Sequence, residues 1–354
     1  MKKRKFGLLV SSLFLAGSIL AACGDDDSGS SSDSKSEDSF SVAMVTDTGG
    51  VDDRSFNQST WEGLEQFGKD NGLEQGNGGY DYNQSESESD YVTNINDLIE
   101  RNFDLVFAVG YKLHDAVVEV AEQRENAKIA IIDETIEGED NIASIMFRAN
   151  EASYLAGAAA ALESKSGKIG FIGGIEGAII GGFEAGFVAG AKAANPDIEI
   201  DVKYADSFAD APKGQQIAKT MYDSGVDIIF HAAGGTGTGL FQEAVARKEK
   251  DPDANVWAIG VDRDQYEEGK VNDSTNITLT SVLKRVDVAA IQVAEDTKAG
   301  KFPGGQVITY GLADGGVDLA DSRGAISEET LAKVEEYKKQ IIDGKIEVPN
   351  TPEK

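Results

Sequence analysis

The sequence predicts an α/β protein of two lobes, each built on a parallel sheet covered by helices and each facing the other. Three observations carry that expectation. Continuous apolar runs such as Leu105-Val106-Phe107-Ala108-Val109 and Ile129-Ala130-Ile131-Ile132 read as strands covered on both faces. Amphipathic stretches of helical length alternate with such runs, as βαβ units require. The alternation then starts afresh at Lys168-Ile169-Gly170-Phe171-Ile172-Gly173-Gly174, with no obvious repeat of sequence.

In the first series, strands are expected at Phe40 to Asp47, Tyr80 to Ser85, Leu105 to Gly110, Lys128 to Asp133 and Ile142 to Arg148. Helices are expected between them at Ser55 to Asn71, Asp90 to Arg101 and Leu113 to Gln123. The Ala-rich stretch Glu151 to Glu163 leads as a helix into the second series. Its strands are Lys168 to Gly174, Ile198 to Ala205, Asp227 to Ala232 and Val256 to Asp262, with helices at Gly177 to Ala194, Ala211 to Ser224 and Gly237 to Lys248. A last helix is expected at Glu328 to Ile342, on either lobe.

Ahead of these units, Lys2, Lys3, Arg4 and Lys5 precede an apolar run from Phe6 to Ala22, the pattern of a secretory leader over 1–22. It ends in Leu20-Ala21-Ala22-Cys23-Gly24, which resembles the cleavage site of bacterial lipoproteins. Cys23 is the only cysteine, so it has no internal disulfide partner and stands where a lipid would be attached. Residues 24–39 are almost wholly Gly, Ser, Asp, Glu and Lys, the composition of a disordered tether. The expected location is the extracytoplasmic face of the cell membrane, held by lipid on Cys23.

A formal net charge of −29 repels phosphate backbones and anionic lipid, which argues against a nucleic-acid partner. With two histidines and no thiol besides Cys23, neither a metal site nor a Cys/His dyad is expected, and no cofactor is called for. Gly235-Thr236-Gly237-Thr238-Gly239 and the glycine-rich stretch from Gly173 to Gly186 lack the Gly-Lys-Ser/Thr of a phosphate loop. Both read as turns where backbone approaches a neighbour closely. Asp47, Asp52 and Asp53 lack the spacing of a calcium loop.

Ligands of such sheets bind beyond the carboxyl ends of the strands, here in the cleft between lobes. The strand ends are polar: Asp47 opens an acidic loop running to Ser59, Asp133 and Asp262 close later strands, and Ala233-Gly234-Gly235-Thr236-Gly237 forms a turn. Carboxylates so placed suit hydroxyl donors such as those of a sugar or ribose. Asp47 and Asp53 also read as helix caps or loop braces, Phe183 and Phe208 as core, and Lys284 as a solvated lysine.

Met44-Val45-Thr46-Asp47, the loop Gly49-Gly50-Val51-Asp52-Asp53-Arg54-Ser55-Phe56-Asn57-Gln58-Ser59 and Trp61-Glu62-Gly63 closely resemble the opening of the basic membrane protein family, nucleoside-binding lipoproteins of ABC importers. Phe183-Glu184-Ala185-Gly186-Phe187, Gly260-Val261-Asp262 and Thr280-Ser281-Val282-Leu283-Lys284 extend the resemblance over nearly all of the mature chain. It implies a type I periplasmic-binding-protein fold, two Rossmann-like lobes joined by a three-crossing hinge, and a nucleoside held by stacking of its base. On that fold the crossings are expected near Arg148-Ala149-Asn150, Lys284-Arg285 and Tyr310-Gly311-Leu312, and the lobes comprise 40–148 plus 286–310 and 149–285 plus 311–350. Carried over, Phe56 supplies one stacking face and Phe183 or Phe208 the other. Asn57 bonds the base edge, with Asp133 a weaker candidate for the same task. Asp262 and Lys284 hold ribose hydroxyls, the backbone at Gly235 approaches closely, and Asp47 accepts from ribose or braces the loop. The implied partners are a nucleoside and ABC permease subunits, with the protein a monomer and not an enzyme. A free-sugar receptor, a nucleoside hydrolase and an adhesin are the competing readings.

Overall fold

Buried apolar runs build two six-stranded sheets in the computed structural model, which describes residues 40–353; the leader, Cys23 and the tether to residue 39 lie outside the described residues. In chain order the first series is β1 (Val42–Val45), α1 (Phe56–Asp70), β2 (Tyr80–Asn83), α2 (Tyr91–Glu100), β3 (Leu105–Val109), α3 (His114–Gln123), β4 (Ile129–Ile132) and β5 (Ile142–Phe147). The second is α4 (Ala149–Glu163), β6 (Lys168–Gly173), α5 (Ala178–Ala194), β7 (Glu199–Tyr204), α6 (Ala211–Asp223), β8 (Ile228–Ala232), α7 (Thr238–Lys250) and β9 (Trp257–Asp262). A short hairpin, β10 (Lys270–Asn272) and β11 (Thr275–Asn276), precedes β12 (Thr278–Lys284). The chain ends with α8 (Val286–Lys298), β13 (Val307–Tyr310), β14 (Val317–Leu319) and α9 (Glu328–Ile342).

The first sheet runs β13-β5-β4-β3-β1-β2 with every pair parallel. The second runs β14-β12-β9-β8-β6-β7 and is parallel except for β14, which lies antiparallel to β12. The parallel sheets the sequence predicts are thus observed, with β14 as an antiparallel addition at one edge. β14 arrives from the other lobe through Gly311–Gly316 and adds at the edge of the sheet, beside β12. Separate apolar clusters fill the two faces of each sheet, so every residue of β1, β3 and β4 is buried.

In the second lobe α4 and α5 pack backbone to backbone. A Cβ at Gly190 would stand 1.9 Å from the Tyr154 carbonyl oxygen, and one at Gly157 2.0 Å from that of Phe187. Gly186 and Gly190 of α5 thus permit the close approach the sequence promised, but inside a helix rather than in turns. α9 packs on α4, with Tyr337 edge-on to Tyr154 at 5.6 Å, which places the last helix on the second lobe.

Three crossings join the lobes: β5 to α4 through Arg148, β12 to α8 through Arg285, and β13 to β14 through Gly311–Gly316. They are bonded to one another, Arg148 N donating to Tyr310 O at 2.7 Å and Arg285 N to Gly316 O at 2.8 Å. The lobes are related at the backbone. β4 and β9 hold equivalent places in their sheets, and the residues ending them, Asp133 and Asp262, both take left-handed backbone at φ 63° and 65°. Arg148 and Arg285 cap α4 and α8 with near-identical dihedrals, −83°/59° and −79°/60°.

Candidate functional site

The carboxyl ends of the two sheets face each other, and their loops enclose a cavity of about 570 Å³ counted out to its mouth. Asp47, Phe56, Asn57, Asp133, Phe183, Phe208, Asp262 and Lys284 all line it, brought together from both lobes. Gly235 does not; Gly234, at φ 52°, forms that stretch of wall. Gly235 sits just behind, where a Cβ would stand 3.2 Å from the Phe208 carbonyl oxygen and 3.9 Å from Asp53 of the other lobe.

The polar groups of the loop after β1 satisfy one another. Asp53 Oδ1 accepts from the backbone N–H groups of Ser55 (2.8 Å) and Gln58 (3.1 Å), and Oδ2 from the backbone and side-chain N–H of Asn57, each at 2.9 Å. Asp53 therefore caps α1, and the Ser55 hydroxyl is released to donate to Asp262 across the cleft. Asn57 spends its other amide proton on Asp47 Oδ1 at 2.8 Å and accepts from Asp47 N at 3.2 Å. In this conformation Asn57 has no free N–H for a base edge, and it braces the loop that presents Phe56. Asp47 Oδ1 also accepts from Gly49 N at 2.8 Å. Burial raises the carboxyl of Asp47 above its ordinary range and pushes that of Asp53 up to about 7, in each case against the pull of N–H donors.

Opposite, Lys284 is 3 % exposed rather than solvated. Its ammonium lies 2.5 Å from Asp133 of the first lobe and 3.5 Å from Asp262 of its own, and 4.1 Å from the centre of the Phe56 ring. Burial alone would lower its pKa, but the two carboxylates outweigh that and hold it above the usual lysine value. Asp133 is raised by burial, with Lys284 pulling it back. One cation thus bridges the symmetry-equivalent carboxylates of the two lobes. It pairs Asp133 with Lys284.

The aromatic side chains differ in kind. Phe183 is 2 % exposed and packs on Phe230 at 6.3 Å, so it belongs to the second lobe's core as well as to the wall. Phe208 is half-buried and meets Tyr111 of the first lobe edge-on at 6.5 Å. Tyr111 and Lys112 line the cavity and were missed in the sequence, although they follow the end of β3, where Gly110 turns the chain at φ 113°. Ile179 and Ile180 at the start of α5 were missed as well, being indistinguishable from core by residue type. Behind the wall His231 is fully buried and held neutral, its pKa lowered by burial to about 4 while its Nε2 meets Gln265 Oε1 at 2.9 Å. Among the described residues, no cluster of His, Cys, Asp and Glu could hold a metal ion, and no helix is long and apolar enough to cross a membrane.

The architecture and the chain both have known counterparts. A crystal structure of an ABC transporter solute-binding protein from Aeropyrum pernix superposes with a TM-score of 0.78 at 26 % identity, over 89 % of this chain and 94 % of that one. An arabinose-binding protein from Geobacillus stearothermophilus, at 17 % identity and a TM-score of 0.58 over 81 % of this chain and 98 % of its own, shares the fold. In sequence, the ABC transporter nucleoside-binding protein BmpA of Lactococcus lactis is 45 % identical over 99 % of this chain and 100 % of its own. Basic membrane protein A of Borreliella burgdorferi is 34 % identical over 88 % of each. The profile of the PnrA-like ABC transporter substrate-binding proteins matches residues 40–352. With a type I periplasmic-binding-protein fold and a cleft lined from both lobes, the chain belongs to the PnrA-like family of ABC transporter substrate-binding proteins.

Proposed function

We propose that the chain is a lipid-anchored receptor that captures a nucleoside in the interlobe cleft and hands it to the permease of an ABC importer without altering it. The observation that carries this reading is the lining of the cavity. Aromatic rings from opposite lobes, Phe56 and Phe208, share its wall with the carboxylates of Asp47, Asp133 and Asp262, the last two beside the buried Lys284. A base fits between rings, where stacking contributes about 0.5–1.5 kcal/mol per pair beyond burial. Its N–H groups suit Asp47, and the hydroxyls of a ribose suit the carboxylates beside Lys284. The Lactococcus lactis relative that matches the full length carries the name of a nucleoside-binding protein, which supports the same ligand class.

The lobes, 40–148 plus 286–310 and 149–285 plus 311–350, rotate about the bonded crossings, and ligand contacts from both sides favour the closed form that the permease reads. Lipid on Cys23 keeps the monomeric receptor on the extracytoplasmic face of the membrane. A thermal-shift screen against nucleosides, bases, ribose, hexoses and amino acids tests the ligand class, because a ligand of the folded state alone must stabilise it. Stabilisation by purine nucleosides but not by ribose is expected. Stabilisation by free sugars only would replace the nucleoside with a sugar on the same fold, and release of free base from the nucleoside would make the protein a hydrolase.

A further inference from the structure

Ligand contacts are not all that joins the lobes. Outside the cavity, Arg263, just after β9 in the second lobe, donates through Nη2 to Glu62 Oε1 of α1 in the first at 2.7 Å. Gln58 Nε2 donates to the same oxygen at 3.0 Å and steers it towards the arginine. The pair is partly sheltered, with side chains 26 % and 41 % exposed, so solvent screens it incompletely. A second tie runs beside it. Gln265 is buried, its Oε1 accepts from Val261 N at 2.8 Å and from His231, and its Nε2 donates at 2.8 Å to the carbonyl oxygen of Arg54 in the other lobe. Arg54 takes left-handed backbone at φ 59°, a conformation that costs a non-glycine residue energy, and offers its carbonyl to Gln265 from there.

Neither Arg263, Glu62, Gln265 nor Arg54 lines the cavity. Two of them nevertheless adjoin a residue that does or that bonds across it: Arg263 follows Asp262, and Arg54 precedes Ser55, which donates to Asp262, and then Phe56. We infer that Arg263 and Gln265 are positioning residues, a ligand-independent latch that holds the first-lobe loop carrying Phe56 against the second lobe and so sets how long the cleft stays shut. The inference rests on the proposed capture of a ligand between the lobes, and it assigns part of the closure energy to contacts the ligand never touches.

The test is a charge swap. In a Cys23→Ser chain carrying spin labels at Ser89 and Ala209, one on each lobe, the interlobe distance is measured by double electron–electron resonance without ligand. Dissociation of inosine from the same chains is followed by stopped flow. Glu62→Arg places two cations together and is expected to lower the closed fraction and speed release by about fivefold, the upper range for a half-exposed pair. Glu62→Arg with Arg263→Glu restores the pair and is expected to return both readouts to near the parent values. Release from the parent should also quicken with salt, and release from Glu62→Arg should not. If the single substitution leaves both readouts unchanged, or if the double swap adds damage instead of repairing it, the latch is refuted. If inosine does not bind the parent, the nucleoside reading fails, and the distance distributions of the ligand-free chains still decide the latch.

Discussion

Replacing Lys284 by Met keeps the length and the apolar stem of the side chain and removes the only charge between Asp133 and Asp262. With the lobes together, both carboxylates would then face a buried cavity without a cation, since Asp133 and Asp262 are 6 % and 5 % exposed. Breaking a buried ion pair by removing one partner costs roughly 3–5 kcal/mol. Asp133 comes from the first lobe and Lys284 from the second, so most of that cost falls on the closed form and little on the folding of either lobe. About 3 kcal/mol is a loss of roughly 150-fold in affinity, and more follows if the ammonium's contact with the Phe56 ring contributes as well. The pH dependence has a definite sign. In the parent, the raised Lys284 keeps its contribution at every pH below the ordinary lysine range and loses it only as pH rises through its own higher value. In Lys284→Met, burial holds Asp133 up without a cation to pull it down, so protonating it relieves the closed form and affinity should recover as pH falls. Calorimetric titration with inosine at pH 5, 7 and 9, alongside the melting temperature without ligand, measures both effects. Affinity within threefold of the parent, or a melting temperature that collapses with it, would refute the assignment of Lys284 to closure.

The two candidate stacking rings should separate by assay. Phe208→Ala is expected to weaken nucleoside binding while leaving the ligand-free melting temperature nearly unchanged, whereas Phe183→Ala should cost about 3–5 kcal/mol of folding stability as a buried core truncation, read by urea denaturation. Gly190→Ala drives a Cβ to within 1.9 Å of the Tyr154 carbonyl oxygen and should part α4 from α5, lowering stability by about 1–3 kcal/mol in the same experiment. His231 is neutral in the fold, with its pKa lowered from 6.5 to about 4, so the stability it contributes is complete above 6.5 and is lost as pH falls towards 4. His231→Gln should flatten that acid limb by up to about 3 kcal/mol, measured as urea midpoints between pH 4 and 8.

Strand and helix positions were legible because apolar runs and amphipathic periodicity are local. Expected and observed bounds differ by a residue or two in most elements, as α1, at Ser55 to Asn71 expected and Phe56–Asp70 observed, illustrates. What could not be read depends on distant partners. Lys284 reads as solvated until Asp133, 151 residues away, is brought against it. Asn57 offers a free amide in the sequence and a spent one in the fold, because Asp47 and Asp53 turn back onto it. The direction of β14 follows from the third crossing and not from its own three residues. Tyr111 was within reach, since the rule that ligands sit beyond strand ends applies to β3 as it does to β1, β4 and β9.

The measurement that tests the central claim most directly is calorimetric titration of the protein with inosine, free hypoxanthine and ribose, beside a Phe56→Ala chain. One equivalent of inosine binding at micromolar affinity or tighter, weak or absent heat from base and ribose alone, and loss of most affinity in Phe56→Ala are the predicted results. Saturable heat from ribose with none from any nucleoside would contradict the account, and so would inosine binding that survives Phe56→Ala undiminished.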